Sequence, residues 1–167
     1  RRLHALAREE ELTHTYPHCW RCKQPVIFRA TPQWFVKVDH RDLRKKMLDA
    51  IGRIRWVPPA GENRIRGMVE SRPDWCISRQ RAWGVPIPAV HCLSCGKAHL
   101  MPDCVRRVAQ LVRKKTADVW FAEPPEHFLP KGWKCPDCGG AKFKREEDIL
   151  DVWFDSGMSH IAALKRR

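Results

Sequence analysis

Two matched cysteine knuckles constrain this chain more than any other feature. Cys92-Leu93-Ser94-Cys95-Gly96 and Cys135-Pro136-Asp137-Cys138-Gly139 share the pattern Cys-x-x-Cys-Gly, with 39 residues between Cys95 and Cys135. Two thiolates separated by two residues reach adjacent corners of a tetrahedron, and the glycine allows a tight backbone turn beneath them. A pair of such knuckles makes one closed four-thiolate site with no corner left for water, so the expected ion is a structural Zn2+. The competing reading is a set of unligated or redox-active thiols.

Six of the eight cysteines fall in Cys-x-x-Cys pairs. Nothing at the start, Arg1-Arg2-Leu3-His4, resembles an export signal, and no apolar run reaches the roughly 20 residues that span a bilayer. The expectation is therefore a cytoplasmic protein with no membrane contact, in which the spacing favours metal over disulfides. Cys19 and Cys22 form the third pair and are also expected to bind metal. Two thiolates do not complete a four-coordinate site, so the pair needs further ligands: His14 and His18, or groups upstream of Arg1. Cys76 and Cys104 lack knuckle spacing and read as packed core residues.

Lys and Arg number 32 against 19 Asp and Glu, a formal charge of +13 spread along the chain. That balance fits a polyanionic partner, although runs such as Arg44-Lys45-Lys46 and Arg113-Lys114-Lys115 also suit solvated helix faces.

Apolar spacing predicts the end of a helix over residues 1–12, strands over Pro25–Ala30 and Gln33–Val38, and helices over Asp42–Ile51 and Glu62–Glu70. Trp75–Ser78 reads as a buried parallel strand, and the pair Pro86 and Pro88 as an edge or loop. Asp103 to Lys115 reads as a helix with Asp103 at its N-cap and a buried stripe of Val105, Val108, Leu111 and Val112.

The segment from Asn63 to Pro88, containing Trp75-Cys76-Ile77-Ser78-Arg79-Gln80-Arg81-Ala82-Trp83-Gly84-Val85-Pro86, resembles the isoleucyl-tRNA synthetase signature that follows the editing insertion. Tyr16 to Arg29 is similar to the exit from that insertion, and Leu150 to Gly157 to the return into the catalytic domain. The three segments span nearly the whole chain in the family's order. The valyl and leucyl relatives share Ile-Ser-Arg-Gln but differ after Arg81 and around Trp-Phe-Asp-Ser-Gly.

This resemblance implies an α/β fold: part of a class I synthetase nucleotide-binding domain carrying a zinc-knuckle insertion. The implied segments are 1–36, the exit of the editing insertion with half a zinc knuckle; 37–90, the return to the core; 91–143, the zinc-binding insertion; and 144–167, a catalytic-domain segment. The implied parent, a monomer, activates isoleucine with ATP and Mg2+ and charges tRNA(Ile). Trp153 then corresponds to an aromatic wall of the amino-acid pocket, the alternative being a core residue. Asp155, with Asp151, is a candidate for polar contacts near the adenylate or for capping a turn. Arg79 and Arg81 alternate around Gln80 and are candidates to meet tRNA phosphates, or to form an ion pair with Asp74 or another acid.

Neither His-x-Gly-His nor Lys-Met-Ser-Lys-Ser occurs. The chain therefore reads as an internal fragment, beginning inside an element and inactive by itself, with no catalytic residue of its own. Two other readings explain the cysteines: a free-standing zinc-stabilised RNA-binding module, and a Cys-x-x-Cys redox protein.

Overall fold

A computed structural model describes residues 8–165. The chain divides into two compact units, residues 1–32 and 33–167. In the first unit the chain doubles back at the Cys19 knuckle, where Cys19 N donates to the Gln24 carbonyl (2.8 Å) and an isolated bridge joins His18 to Pro25. The helix expected over residues 1–12 is not formed by residues 8–12, and its earlier part lies outside the described residues. The strand expected over Pro25–Ala30 is also absent beyond that bridge, and Ile27 is 81% exposed. Strand propensity acts through packing against a neighbour, and no neighbouring strand pairs with this stretch.

The second unit opens with β1 (Phe35–Val36), paired antiparallel to β2 (Trp75–Cys76). Between them stand α1 (Leu43–Ile51) and α2 (Ala60–Glu70), close to the expected helices. Arg44 of α1 locks the pair: its guanidinium binds Asp39 at 2.7 Å and donates to the Val69, Glu70 and Arg72 carbonyls at the end of α2. The last carbonyls of a helix are short of intrahelical donors and carry the negative end of its dipole, so a cation is well placed there.

After Ile77, β3 (Ser78–Arg79) pairs antiparallel with β7 (Ile149–Leu150). The apolar run at Trp75–Ser78 is thus two short antiparallel strands and not the single parallel strand its composition implies. An apolar run reveals burial but not the direction of its partner.

The lobe from β4 to β6 has its own core. Its sheet is antiparallel, in the order β5 (Ala98–Leu100), β4 (Ala89–Cys92), β6 (Phe143–Arg145). Pro88 ends just before β4, and Pro86 makes only an isolated bridge to Ile149. Over this sheet lie α3 (Pro102–Lys114) and the short α4 (Val119–Ala122). Trp120 and Phe128, both essentially fully buried, meet at 4.8 Å amid Val90, Cys104, Val108 and Phe143.

The helix α3 begins one residue earlier than expected, with Met101 as its N-cap. Pro102 at the first helical position presets the backbone and has no N–H to satisfy. Asp103 sits inside the first turn and binds Arg106 at 2.7 Å. The buried stripe is rotated too, with Cys104 in the core and Val105 39% exposed. Burial pushes the Cys104 thiol up to about 11, so it behaves as a small hydrophobe.

The last element, α5 (Val152–Leu164), is capped by Asp151, whose carboxylate accepts the Trp153 N–H at 3.0 Å. No helix among the described residues is long and apolar enough to cross a membrane.

Candidate metal centre and substrate cleft

The β-sheet brings the two knuckles together. Cys92 ends β4, and Phe143, which leaves the second knuckle, lies directly opposite it on β6. Each knuckle closes in the same way: Gly96 N donates to the Cys92 carbonyl (2.9 Å) and Gly139 N to the Cys135 carbonyl (2.8 Å). Both glycines have positive φ, 74° and 72°, a conformation costly for any residue with a side chain.

The four sulfurs of Cys92, Cys95, Cys135 and Cys138 lie within 4.8 Å of one another, with Cys92 to Cys138 at 3.5 Å and Cys95 to Cys135 at 3.7 Å. Zinc holding sulfur at about 2.3 Å in a tetrahedron sets the sulfurs about 3.8 Å apart, so these two spacings are compatible with that ion. The backbone presses close as well. A Cβ on Gly140 would stand 2.7 Å from Ser94 Oγ and 3.2 Å from Cys92 Sγ.

The thiols differ in acidity. The Cys95 N–H, aided by Ser94 N–H and neighbouring thiols, outweighs burial and brings Cys92 down to about 6. The Gly140 N–H pulls Cys138 down, but the Cys92 and Cys95 sulfurs together with burial push it up to about 12. Four clustered sulfurs do not all ionise unless a cation joins them.

Sequence spacing does not reveal His99, because a lone histidine four residues past Cys95 carries no ligand pattern. Its Nε2 lies 3.3 Å from Cys135 Sγ and 3.7 Å from an Asp137 carboxylate oxygen, and its ring packs edge-on to Trp133. Lys97 pairs with Asp137 beside it. Lys97 thus brings a positive charge near the sulfurs that Asp137 largely offsets, and His99 sets a ring nitrogen against Cys135, the kind of neighbour that orients metal ligands.

Cys19 and Cys22 belong to the first unit. Among the described residues no third His, Cys, Asp or Glu joins them as a metal group. His14 and His18 direct their Nδ1 atoms to the Thr15 and Tyr16 carbonyls (2.9 and 2.8 Å).

The second site is an apolar cleft of about 870 Å³. Val38, Met47 and Met68 form part of its wall; Trp75, Phe154 and Trp153 bring aromatic surface; Arg72, Asp74, Arg79 and Asp151 are its charged residues. Trp153 is 71% exposed and hence not a core residue here. Asp155 follows on the same helix turn, its carboxyl raised by burial and by the charge of Asp151.

Asp151 is buried, and the Trp153 N–H, the Trp75 indole and the Arg79 charge hold it below the usual carboxylate range against its burial. Arg79 therefore has an acid partner, and it is Asp151. Asp74 is engaged elsewhere, accepting the Val38 N–H at 2.9 Å. Arg81 lies beyond β3, exposed, and among the described residues its side chain donates only to the Gln80 carbonyl. The two arginines thus have different surroundings, and because β3 ends at Arg79 the strand alternation that would put them on one face does not extend to Arg81.

The profile of tRNA synthetases class I (I, L, M and V) matches residues 7–166. The chain belongs to that family. It is 55% identical to the isoleucine-tRNA ligase of Aquifex aeolicus over 96% of its own length and 17% of the relative's. It is 53% identical to the Aquifex pyrophilus ligase of the same name (96% and 31%) and 52% identical to that of Geobacter sulfurreducens (100% and 18%). The chain thus spans less than a third of the length of these class I synthetases. In this chain the aromatic cleft and the four-thiol cluster are separate features of one segment, joined through β7 and β6.

Proposed function

We propose that this chain is a segment of an isoleucine-tRNA ligase, which as a whole enzyme activates isoleucine with ATP and Mg2+ and charges tRNA(Ile). One observation carries the reading: identity above 50% to three isoleucine-tRNA ligases across nearly the entire chain. In this reading residues 37–90 and 144–167 belong to the catalytic domain, and 91–143 are an insertion whose structure is set by metal.

Trp153 supplies a flat apolar wall for the amino-acid side chain, and Asp155, two residues on along the same helix, makes polar contacts near the adenylate. A pocket of this kind gains only about 1 to 3 kcal/mol from one extra methylene, so isoleucine is separated from valine partly elsewhere in the enzyme. Arg81 is free to meet a tRNA phosphate, whereas Arg79 acts first on Asp151. Cys92, Cys95, Cys135 and Cys138 hold Zn2+, which ties β4 to the second knuckle and supplies no chemistry to the substrates. Cys19 and Cys22 provide two corners of a further zinc site completed from outside the described residues. The parent works in the cytoplasm as a monomer.

The test is replacement of the matching segment of the Aquifex aeolicus ligase by this chain. Isoleucine-dependent ATP-pyrophosphate exchange and charging of tRNA(Ile) are expected to persist. A folded chimera that activates another amino acid, or none, overturns the reading.

A further inference from the structure

The basic run Arg113-Lys114-Lys115 resolves into two kinds of residue. Lys115 binds Glu123 at 2.7 Å, and one turn from the helix start Arg106 binds Asp103. Arg107, Arg113 and Lys114 are exposed, and among the described residues no acid or carbonyl engages their side chains. Helical geometry gathers them: Arg107 and Lys114 are two turns apart on one line, about 10.5 Å along the axis, with Arg113 and Gln110 beside it. A shallow groove of about 430 Å³ runs through this face, lined by Arg107, Gln110, Leu111, Arg113 and Lys114.

The opposite side of the helix is anchored, because Cys104 and Val108 are in the same core as Cys92 and Cys135. The cations are therefore presented by a fixed element and not by a loop. The surrounding lobe, residues 89–146, carries eleven Lys and Arg against six Asp and Glu. Of the groove residues only Leu111 is apolar, and it is half-buried, which leaves no surface to insert into lipid. Two guanidinium forks with an ammonium match a row of phosphates.

We propose that this face of α3 docks the phosphate backbone of RNA, with Arg107, Arg113 and Lys114 as the contacting cations. Taking that RNA to be tRNA rests on the synthetase reading above. The site is a docking surface that orients the nucleic acid and reads no base.

The test titrates the chain onto a fluorescent isoleucine tRNA transcript between about 50 and 200 mM salt. Arg107→Gln, Arg113→Gln and Lys114→Gln together are expected to weaken binding roughly tenfold or more and to flatten the log-log salt slope by about 2.7, at about 0.9 for each of three duplex phosphates. A charge-matched variant in the same lobe, Lys131→Gln, Lys134→Gln and Lys144→Gln, is expected to shift affinity less than about threefold, since a scattered charge contributes only to screening. Equal loss in both variants, no loss in the first, or no binding by the parent chain overturns the proposal. So does tighter binding to phosphatidylserine vesicles than to tRNA.

The same three substitutions in the chimeric ligase separate this proposal from the one it rests on. A raised tRNA KM with unchanged ATP-pyrophosphate exchange supports docking. Unchanged tRNA KM in an active chimera overturns docking alone, and an inactive parent chimera strikes at the synthetase reading instead.

Discussion

The indole N–H of Trp34 donates to the carboxylate of Glu146 at 2.7 Å, across 112 residues of chain. The same carboxylate accepts the Glu147 and Asp148 N–H groups (2.8 and 3.0 Å) and meets His91 Nε2 at 2.9 Å, while the Glu146 carbonyl accepts the Trp120 indole at 2.9 Å. One residue at the end of β6 thus ties the strand entry, the β4 sheet and the core of the four-thiol lobe. Glu146→Ala leaves at least three donors without their acceptor. It is expected to cost on the order of 3 kcal/mol in urea unfolding, with Glu146→Gln costing less.

Burial raises the Glu146 carboxyl, yet the Asp148 N–H, Trp34 and His91 together bring it down to about 2. Its folded value is below the unfolded one, so its contribution is complete above about pH 4.5 and is lost as pH falls toward 2. Wild-type stability should decline through that window more steeply than that of Glu146→Gln. Parallel curves for the two proteins would remove Glu146 as the cause.

Removing metal from the four-thiol cluster should lower the melting temperature and release about one zinc per chain, since binding free energy at such a site is folding free energy. Cys95 and Cys138 are raised above the ordinary thiol value, so loading near neutral pH must displace their protons. Zinc affinity is therefore expected to rise with pH, read by competition with a chromogenic chelator. Full stability in the metal-free protein would deny the cluster a structural role.

Asp151 both caps α5 and pairs with Arg79. Asp151→Ala should destabilise the chain by about 2 kcal/mol, the sum of a lost cap and a partner left beside the cleft. Arg79→Ala should cost less, because Arg79 is 40% exposed and its charge is screened by water. Calorimetry on the two variants and their double mutant gives the coupling directly.

Trp153→Ala is expected to change stability by no more than about 0.5 kcal/mol, as its side chain faces mostly solvent. In the chimeric ligase the same substitution should raise KM for isoleucine severalfold in the exchange assay while leaving KM for ATP near its parent value. A large stability loss with unchanged KM would return Trp153 to a packing role.

Local spacing makes much of this molecule legible in its sequence. Cys-x-x-Cys-Gly repeated at Cys92 and Cys135 implies a shared ion because ligand geometry is encoded within five residues. The helices α1 and α2 follow from apolar periodicity alone. His99 is not legible in this way, because its approach to Cys135 depends on β5 lying beside β4. Nor is the choice between fates for Arg79, since nothing local selects Asp151, 72 residues away, over Asp74, five residues away.

The sequence by itself determined the family resemblance, the pairing of two cysteine knuckles and the helices α1, α2 and α3 in outline, all properties of short segments with fixed backbone geometry. Tertiary structure decided which strands pair and in which direction, which aspartate neutralises Arg79, and which cations of α3 remain unpaired. Those outcomes depend on desolvation and distance between residues far apart in the chain, and both are set only when the chain has packed.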